Sequence, residues 1–312
     1  LLSILDLRVE PMTHPMGFTE FCQYAPPNSS ALDGFVACGP RYDPMGPWWC
    51  FNHHEEVERL YTRATCTQIA MAIRSGMYQQ LRDTRGNRRP IAFVNDCDQD
   101  VCTAVWCMDN PDATAQIINP LLNRLLTIED NLDTTAGAYP YAPDMEIIQE
   151  MAWIFEPYTR FRASGGISCR NASDFRGVIE DVYARIGQYM VGRCQRIELD
   201  THYRTIFAGR GWSAIEELGL HGRTGAYHDG IKAYLSIKER TNGAHDVVVG
   251  RTSPFIPFPV ASILARYNDI EADVDRRWGG SDMIGGSNRA NGTMLSVDLL
   301  IETAATAVAT MF

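Results

Sequence analysis

Trp48-Trp49-Cys50-Phe51-Asn52-His53-His54-Glu55-Glu56 is an apolar run of strand length that ends abruptly in an amide, two adjacent imidazoles and two acids. Such a run, bounded by the turn-forming Pro44-Met45-Gly46-Pro47, predicts a buried strand that delivers polar side chains at its carboxyl end. Pro90-Ile91-Ala92-Phe93-Val94 repeats the arrangement downstream and opens into Asn95-Asp96-Cys97-Asp98-Gln99-Asp100, before the apolar run from Val101 to Met108. Strand, charged loop and helix in that order is the rhythm of an α/β fold. In open α/β sheets ligands bind beyond the carboxyl ends of the strands, so both polar groups are expected at one edge.

Outward from these stretches, residues 1–9 read as a first strand, and Asp33-Gly34-Phe35-Val36-Ala37-Cys38-Gly39 as a turn feeding a short buried strand. Val57, Leu60, Ala64, Ile69, Ala70 and Ile73 have the spacing of one amphipathic helix from Glu55 to Ser75, with acids in its first turn and Gly76 just beyond its end. Residues 121–132, 145–155, 173–190 and 296–311 read as further helices, with Asn171 or Ser173 available to cap the third. The pattern loosens near Gly165-Gly166 and resumes with the β-rich Val247-Val248-Val249-Gly250-Arg251-Thr252-Ser253. The expected organisation is a largely parallel sheet flanked by helices over residues 1–195, then a smaller α/β domain over 196–312.

The chain has 312 residues, 45% of them hydrophobic and 21% charged, enough for two domains with their own cores. Lys and Arg number 28 against 38 Asp and Glu, a net charge of −10, which argues against capture of long nucleic acid through its phosphates. No apolar run approaches the ~20 residues that span a bilayer. The nine cysteines form no CxxC pair and no compact disulfide framework, which predicts a reducing cytoplasm. The sequence opens on Leu rather than Met, as expected of a trimmed or partial N-terminus.

His53 and His54 read as metal ligands or phosphate contacts, or else as a helix-start pair held by Glu55 and Glu56. Asp96, Asp98 and Asp100 crowd three acids into five positions, where they repel one another unless a cation, basic groups or solvent intervenes. Arg251 with Ser253 has the means to grip an anion, aided by backbone donors of Gly279, Gly280, Gly285 and Gly286 and by Arg289; the alternative is a tight turn packed on Trp278. Cys97, inside the acidic loop, is the thiol to test for reactivity. The stiff, apolar segment from Ser253 to Pro259 is expected to line a pocket or to meet a partner subunit.

At these residues the chain resembles the DHH phosphoesterase superfamily, in particular its melanocyte-proliferating-gene type branch of metal-dependent hydrolases. Thr13-His14-Pro15-Met16-Gly17-Phe18 resembles the family's opening Thr-His segment. Phe35 to His54 resembles its strand, Tyr-Asp-Pro turn and naming motif, and Asn95 to Asp100 its later aspartate motif. Val249 to Ser253 and Gly279 to Gly286 resemble the Arg-Ser strand and glycine signature of the associated substrate-binding (DHHA1-like) domain. The departures are specific: Asn52 stands where the naming motif has a carboxylate, Ala37 and Cys38 where a strand-end Asp is usual, and Ser281 where His is usual.

The resemblance implies Mn²⁺ or Mg²⁺ held by residues among His14, Asp43, His54, Asp96, Asp98 and Asp100, with His53, His54 and Asp98 in catalysis. It implies an anionic group bound by Arg251, Ser253, Gly279, Gly280, Ser281, Gly285, Gly286 and Arg289. The expected activity is phosphoester hydrolysis on a small nucleotide or short oligonucleotide in an interdomain cleft of a homo-oligomer, with no membrane partner. The alternative is a degenerate relative that binds a ligand or self-assembles.

Overall fold

The computed structural model describes residues 2–12, 14–82 and 85–311. The chain forms a mixed α/β structure in two compact units, one of Leu1–Thr134 with Glu150–Ile197, the other of Thr135–Gln149 with Glu198–Phe312.

The first unit is built on strands β1 (Asp6–Val9), β2 (Ser29–Leu32), β3 (Arg41–Asp43), β4 (Trp48–Phe51) and β5 (Ile91–Val94), in the order β1-β5-β2-β4-β3. β1, β5, β2 and β4 are mutually parallel, and only the edge strand β3 runs against its neighbour. Every residue of the central β2 is buried, which its small Ser29, Ser30 and Ala31 allow beneath large neighbours. Phe21, Phe35 and Phe93 close over this region, with Phe21 edge-on to Phe93 at 5.4 Å between ring centroids.

After β5 the helix Gln99–Asp109 buries nearly its whole length, and its N-terminus is capped by Asp98, which accepts from the Val101 amide at 2.9 Å. At the other end Asp109 anchors the chain start. Its carboxylate accepts from the amides of Ser3, Ile4 and Leu5 at 2.9, 2.9 and 3.0 Å and from the Tyr183 hydroxyl at 2.7 Å.

The second unit carries strands β6 (Tyr203–Gly209), β7 (Trp212–Glu217), β8 (Ala233–Glu239), β9 (His245–Arg251), β10 (Gly279–Gly280) and β11 (Ile284–Gly286), ordered β10-β11-β9-β8-β7-β6. Only β7 and β8 pair in parallel. Helices Val260–Ile270 and Val297–Ala309 bury one face, against Trp212, Leu235, Val247 and Val249. On the other face Tyr227 and Tyr234 pack with Ala138, from the segment of this unit that precedes the end of the first.

Three sequence expectations are corrected. The buried strand near Asp33 precedes the turn rather than following it. The first strand is confined to Asp6–Val9, because Ser3 to Leu5 are held by Asp109 instead of a neighbouring strand. The helix expected from Glu55 begins only at Thr65: Glu56 takes a positive φ of 57°, and residues 52–58 form a loop pinned by side-chain hydrogen bonds, with a single helical turn at Arg59–Tyr61. The apolar spacing from Val57 to Ala64 thus marks a packed loop.

Burial raises the pKa of Asp109, but hydrogen bonds from Ile4, Tyr183, Ser3 and Leu5 outweigh it and hold the carboxyl below its ordinary value. A depressed carboxyl contributes stability above its unfolded pKa and loses it as pH falls through the folded one. Asp109→Ala is therefore expected to lower unfolding free energy by about 2–4 kcal/mol at neutral pH. In urea titrations the gap between the two proteins should narrow progressively below about pH 4; a gap independent of pH would show that the charge is not what anchors the chain start.

Candidate metal centre

The parallel order of β5, β2 and β4 brings their carboxyl ends to one edge, and the polar residues gather there. Asp33 follows β2 directly. Gly34, at φ 74°, then turns the chain sharply, with its carbonyl held by the Asn95 amide at 3.0 Å. His53 and His54 follow β4, Asp100 lies in the first turn of the helix after β5, and Asp133 comes from the last turn of the helix Pro120–Thr134.

His53 is the hub. Its fully buried ring places Nε2 at 2.6 Å from Asp133 Oδ2, 3.3 Å from Asp33 Oδ1 and 3.8 Å from Asp100 Oδ2. His54 Nε2 lies 2.8 Å from the same Asp33 oxygen. Among the described residues two groups have metal-ligand spacing, Asp33 with His53 and His54, and His53 with Asp100 and Asp133. Despite their closeness, His53 Nε2 and Asp133 Oδ2 lack hydrogen-bond geometry to any partner, and both are buried. Buried polar atoms are ordinarily satisfied, so a buried pair facing each other without hydrogen-bond geometry fits a shared cation. Carboxylate oxygen mixed with imidazole nitrogen suits Mn²⁺ better than Mg²⁺, which prefers oxygen alone. Both groups share His53, so the arrangement fits a single ion.

The electrostatics point the same way. Burial lowers the pKa of His53, but Asp133 and Asp33 reverse this and push it up to about 11. Burial likewise lowers His54, and Asp33 raises it above its ordinary value. Asp33 is raised by burial yet held well below the carboxylate range by His54 and His53. Asp100 is pushed up to about 7 by burial and by Asp133 and Asp33, against the pull of His53. Burial and neighbouring aspartates also raise Asp98, and Glu129, an almost fully buried acid whose Oε2 has no hydrogen-bond partner. Five buried or partly buried acids gather around two imidazoles, and several of them are driven toward their protonated forms, a need for positive charge that a divalent cation also meets.

The sequence-derived ligands divide. His54 and Asp100 enter the two groups, with His53 at their centre, whereas His14 and Asp43 lie outside both. His14 is exposed, and Thr13 beside it is outside the described residues. Asp43 sits in the edge strand and accepts from the Met45 amide at 2.8 Å, a turn contact. Asp98 caps its helix, and Asp96 accepts from the Cys97 amide at 2.7 Å. Cys97 is buried, and burial with Asp96 and Asp98 pushes its thiol far up, so it is not an activated nucleophile.

Asp33 and Asp133 were not singled out by sequence reasoning. For Asp33 the signal was an Asp-Gly pair at a strand end, read only as a turn. For Asp133 it was an acid in the last helical turn, where the helix dipole disfavours negative charge.

In the second unit the anion-site reading meets a different geometry. The Arg251 guanidinium donates to the Asp282 carbonyl and carboxylate and to the carbonyls of Pro254 and Ile256, so it staples a loop. Ser253 and Ser281 accept from nearby amides in turns. Gly279 and Gly280 pair with Gly286 and Gly285, and a Cβ on Gly280 would lie 2.2 Å from Gly285 Cα; close backbone approach explains Gly280, Gly285 and Gly286, while Gly279 has open space beside it. Arg289 is exposed, and its carbonyl accepts from Arg240.

Compared with known proteins, the chain matches no protein-family model, no curated protein and no solved structure.

Asn52 is fully buried, and its amide nitrogen donates to the carbonyls of Val36 and Cys38 and to Glu55 Oε2, while its oxygen accepts from the His54 amide. A carboxylate there would face three acceptors. Asn52→Asp is expected to destabilise the protein by about 2–4 kcal/mol, with partial recovery on adding Glu55→Gln. Thermal unfolding of the single and double variants checks this; an unchanged midpoint in the single variant would refute it.

Proposed function

We propose that the first unit is a divalent-cation-dependent phosphoesterase of the DHH type, acting on a small nucleotide or short oligonucleotide. The observation that supports it most is the buried His53 ring, on whose Nε2 the Asp33 and Asp133 oxygens converge although that nitrogen makes no hydrogen bond. Asp33, His53 and Asp133 would hold the ion, with His54 and Asp100 completing its surroundings. When bound, Mn²⁺ supplies Lewis-acid polarisation of a phosphoryl oxygen and a water of lowered pKa.

The chain's own residues supply the rest. His54 has a side chain 30% exposed, so it is the member of the set that a substrate reaches, and Asp33 holds its Nε2 and thereby its ring orientation. Asp100 is fixed by accepting from the Thr65 and Cys66 amides, both at 2.7 Å, which also caps the helix Thr65–Arg74. Small substrates suit a chain of net charge −10.

A second reading, a degenerate relative that binds a ligand or assembles with itself, is favoured by the internal engagement of Arg251 and by the structural use of Asn52. Elemental analysis after Mn²⁺ loading, paired with Mn²⁺-dependent hydrolysis of a phosphodiester dinucleotide, separates the two. The proposed reading expects one Mn²⁺ per chain, and an Asp33→Asn variant with affinity reduced at least about 100-fold and hydrolysis lost. A folded protein that retains no Mn²⁺ would favour the second.

A further inference from the structure

Asp133 is the candidate ligand with the least favourable place in the fold. It lies in the last turn of the helix Pro120–Thr134, where unsatisfied carbonyls give the helix its negative end, and a carboxylate there is repelled by its own backbone. One side chain answers both problems. Arg59, from the single helical turn after the histidine loop, donates through Nη2 to the Asp133 carbonyl at 2.8 Å and to its Oδ1 at 3.1 Å. The other oxygen, Oδ2, is thereby left facing His53 Nε2 at 2.6 Å. The contact is partly buried, at 24% exposure for Arg59 and 18% for Asp133.

The same loop is fastened one turn earlier on that helix, where Asp130 accepts from the Ala64 amide at 2.6 Å and from Arg63 at 3.2 Å. The loop that presents His53 and the helix that presents Asp133 are therefore joined by Arg59 at the level of the ligand atoms.

Resting on the cation reading above, we propose that Arg59 is a positioning residue. It fixes the Asp133 carboxylate so that one oxygen is tied to the guanidinium and the other is presented with His53 to a divalent cation. Both contacts come from the one Nη2, so the ammonium of lysine can take over part of this task, with a shorter reach.

The test is titration of Mn²⁺ into metal-free protein, read by calorimetry and by the electron paramagnetic resonance signal of free Mn²⁺. It uses the unsubstituted chain, Arg59→Met, Arg59→Lys, Asp133→Asn, and Arg59→Met combined with Asp133→Asn, with circular dichroism to confirm folding. Arg59→Met should weaken Mn²⁺ binding by about 10–100-fold, the usual size of losing a group that orients a metal ligand. Arg59→Lys should recover part of the loss, and Arg59→Met should add little once Asp133 is Asn, because the two act through one contact.

Affinity unchanged in Arg59→Met would overturn the positioning role and leave the cation site standing, as would an equal further loss in the Asp133→Asn background. Should Arg59→Met not fold, unweakened binding by Arg59→Lys overturns the role and weakened binding by the folded lysine variant supports it. No Mn²⁺ binding by the unsubstituted protein would instead overturn the cation reading, and this inference with it.

Discussion

Buried like charge is the constraint around which the first unit is arranged. Asp33, Asp100, Asp133 and Glu129 are drawn toward one region where water is scarce and each acid raises the cost of ionising the next. The local structure reads as a set of answers to that problem. Asp100 sits on the amide groups at the start of a helix, Asp33 between two imidazoles, and Asp133 between an imidazole and a guanidinium. Glu129 has an oxygen with no such partner, and burial with its neighbours favours its neutral form. The parallel sheet makes the convergence possible, because it delivers several strand ends to the same edge.

Much of this arrangement was legible in the residues. Apolar runs that stop at polar clusters located β4 and β5, and the unbroken hydrophobic stretch after Asp100 gave the buried helix Gln99–Asp109. The helices at 121–132, 173–190 and 296–311 lie within one or two residues of their expected bounds, since amphipathic spacing over several turns leaves little room for another structure. Residues 55–64 were misread because apolar side chains that pack a loop can share helical spacing by coincidence, and the hydrogen bonds of Asn52, Arg59 and Asp130 that override it are made to residues distant in sequence. Asp133 was invisible for a related reason: its partners are assembled only by the tertiary fold.

The second unit shows how residue types that suit a ligand can serve the scaffold instead. Arg251 has the charge and fork to bind an anion, yet its donors are directed to Asp282, Pro254 and Ile256. The glycine pairs are equally suited to cradle a phosphate, but Gly280, Gly285 and Gly286 meet a steric requirement of adjacent strands. Residue identity lists what a side chain is capable of, and only its neighbours decide which capability is used.

The interleaving of the two units along the chain has a consequence for synthesis. Residues 135–149 belong with the second unit, and Ala138 packs against Tyr227 and Tyr234, which the ribosome makes much later. Residues 150–197 belong with the first unit, so its fold is completed only after that foreign segment has already emerged. Nascent chain must therefore carry an unburied insert while the earlier unit closes, and translation cannot hand over one finished unit before beginning the next.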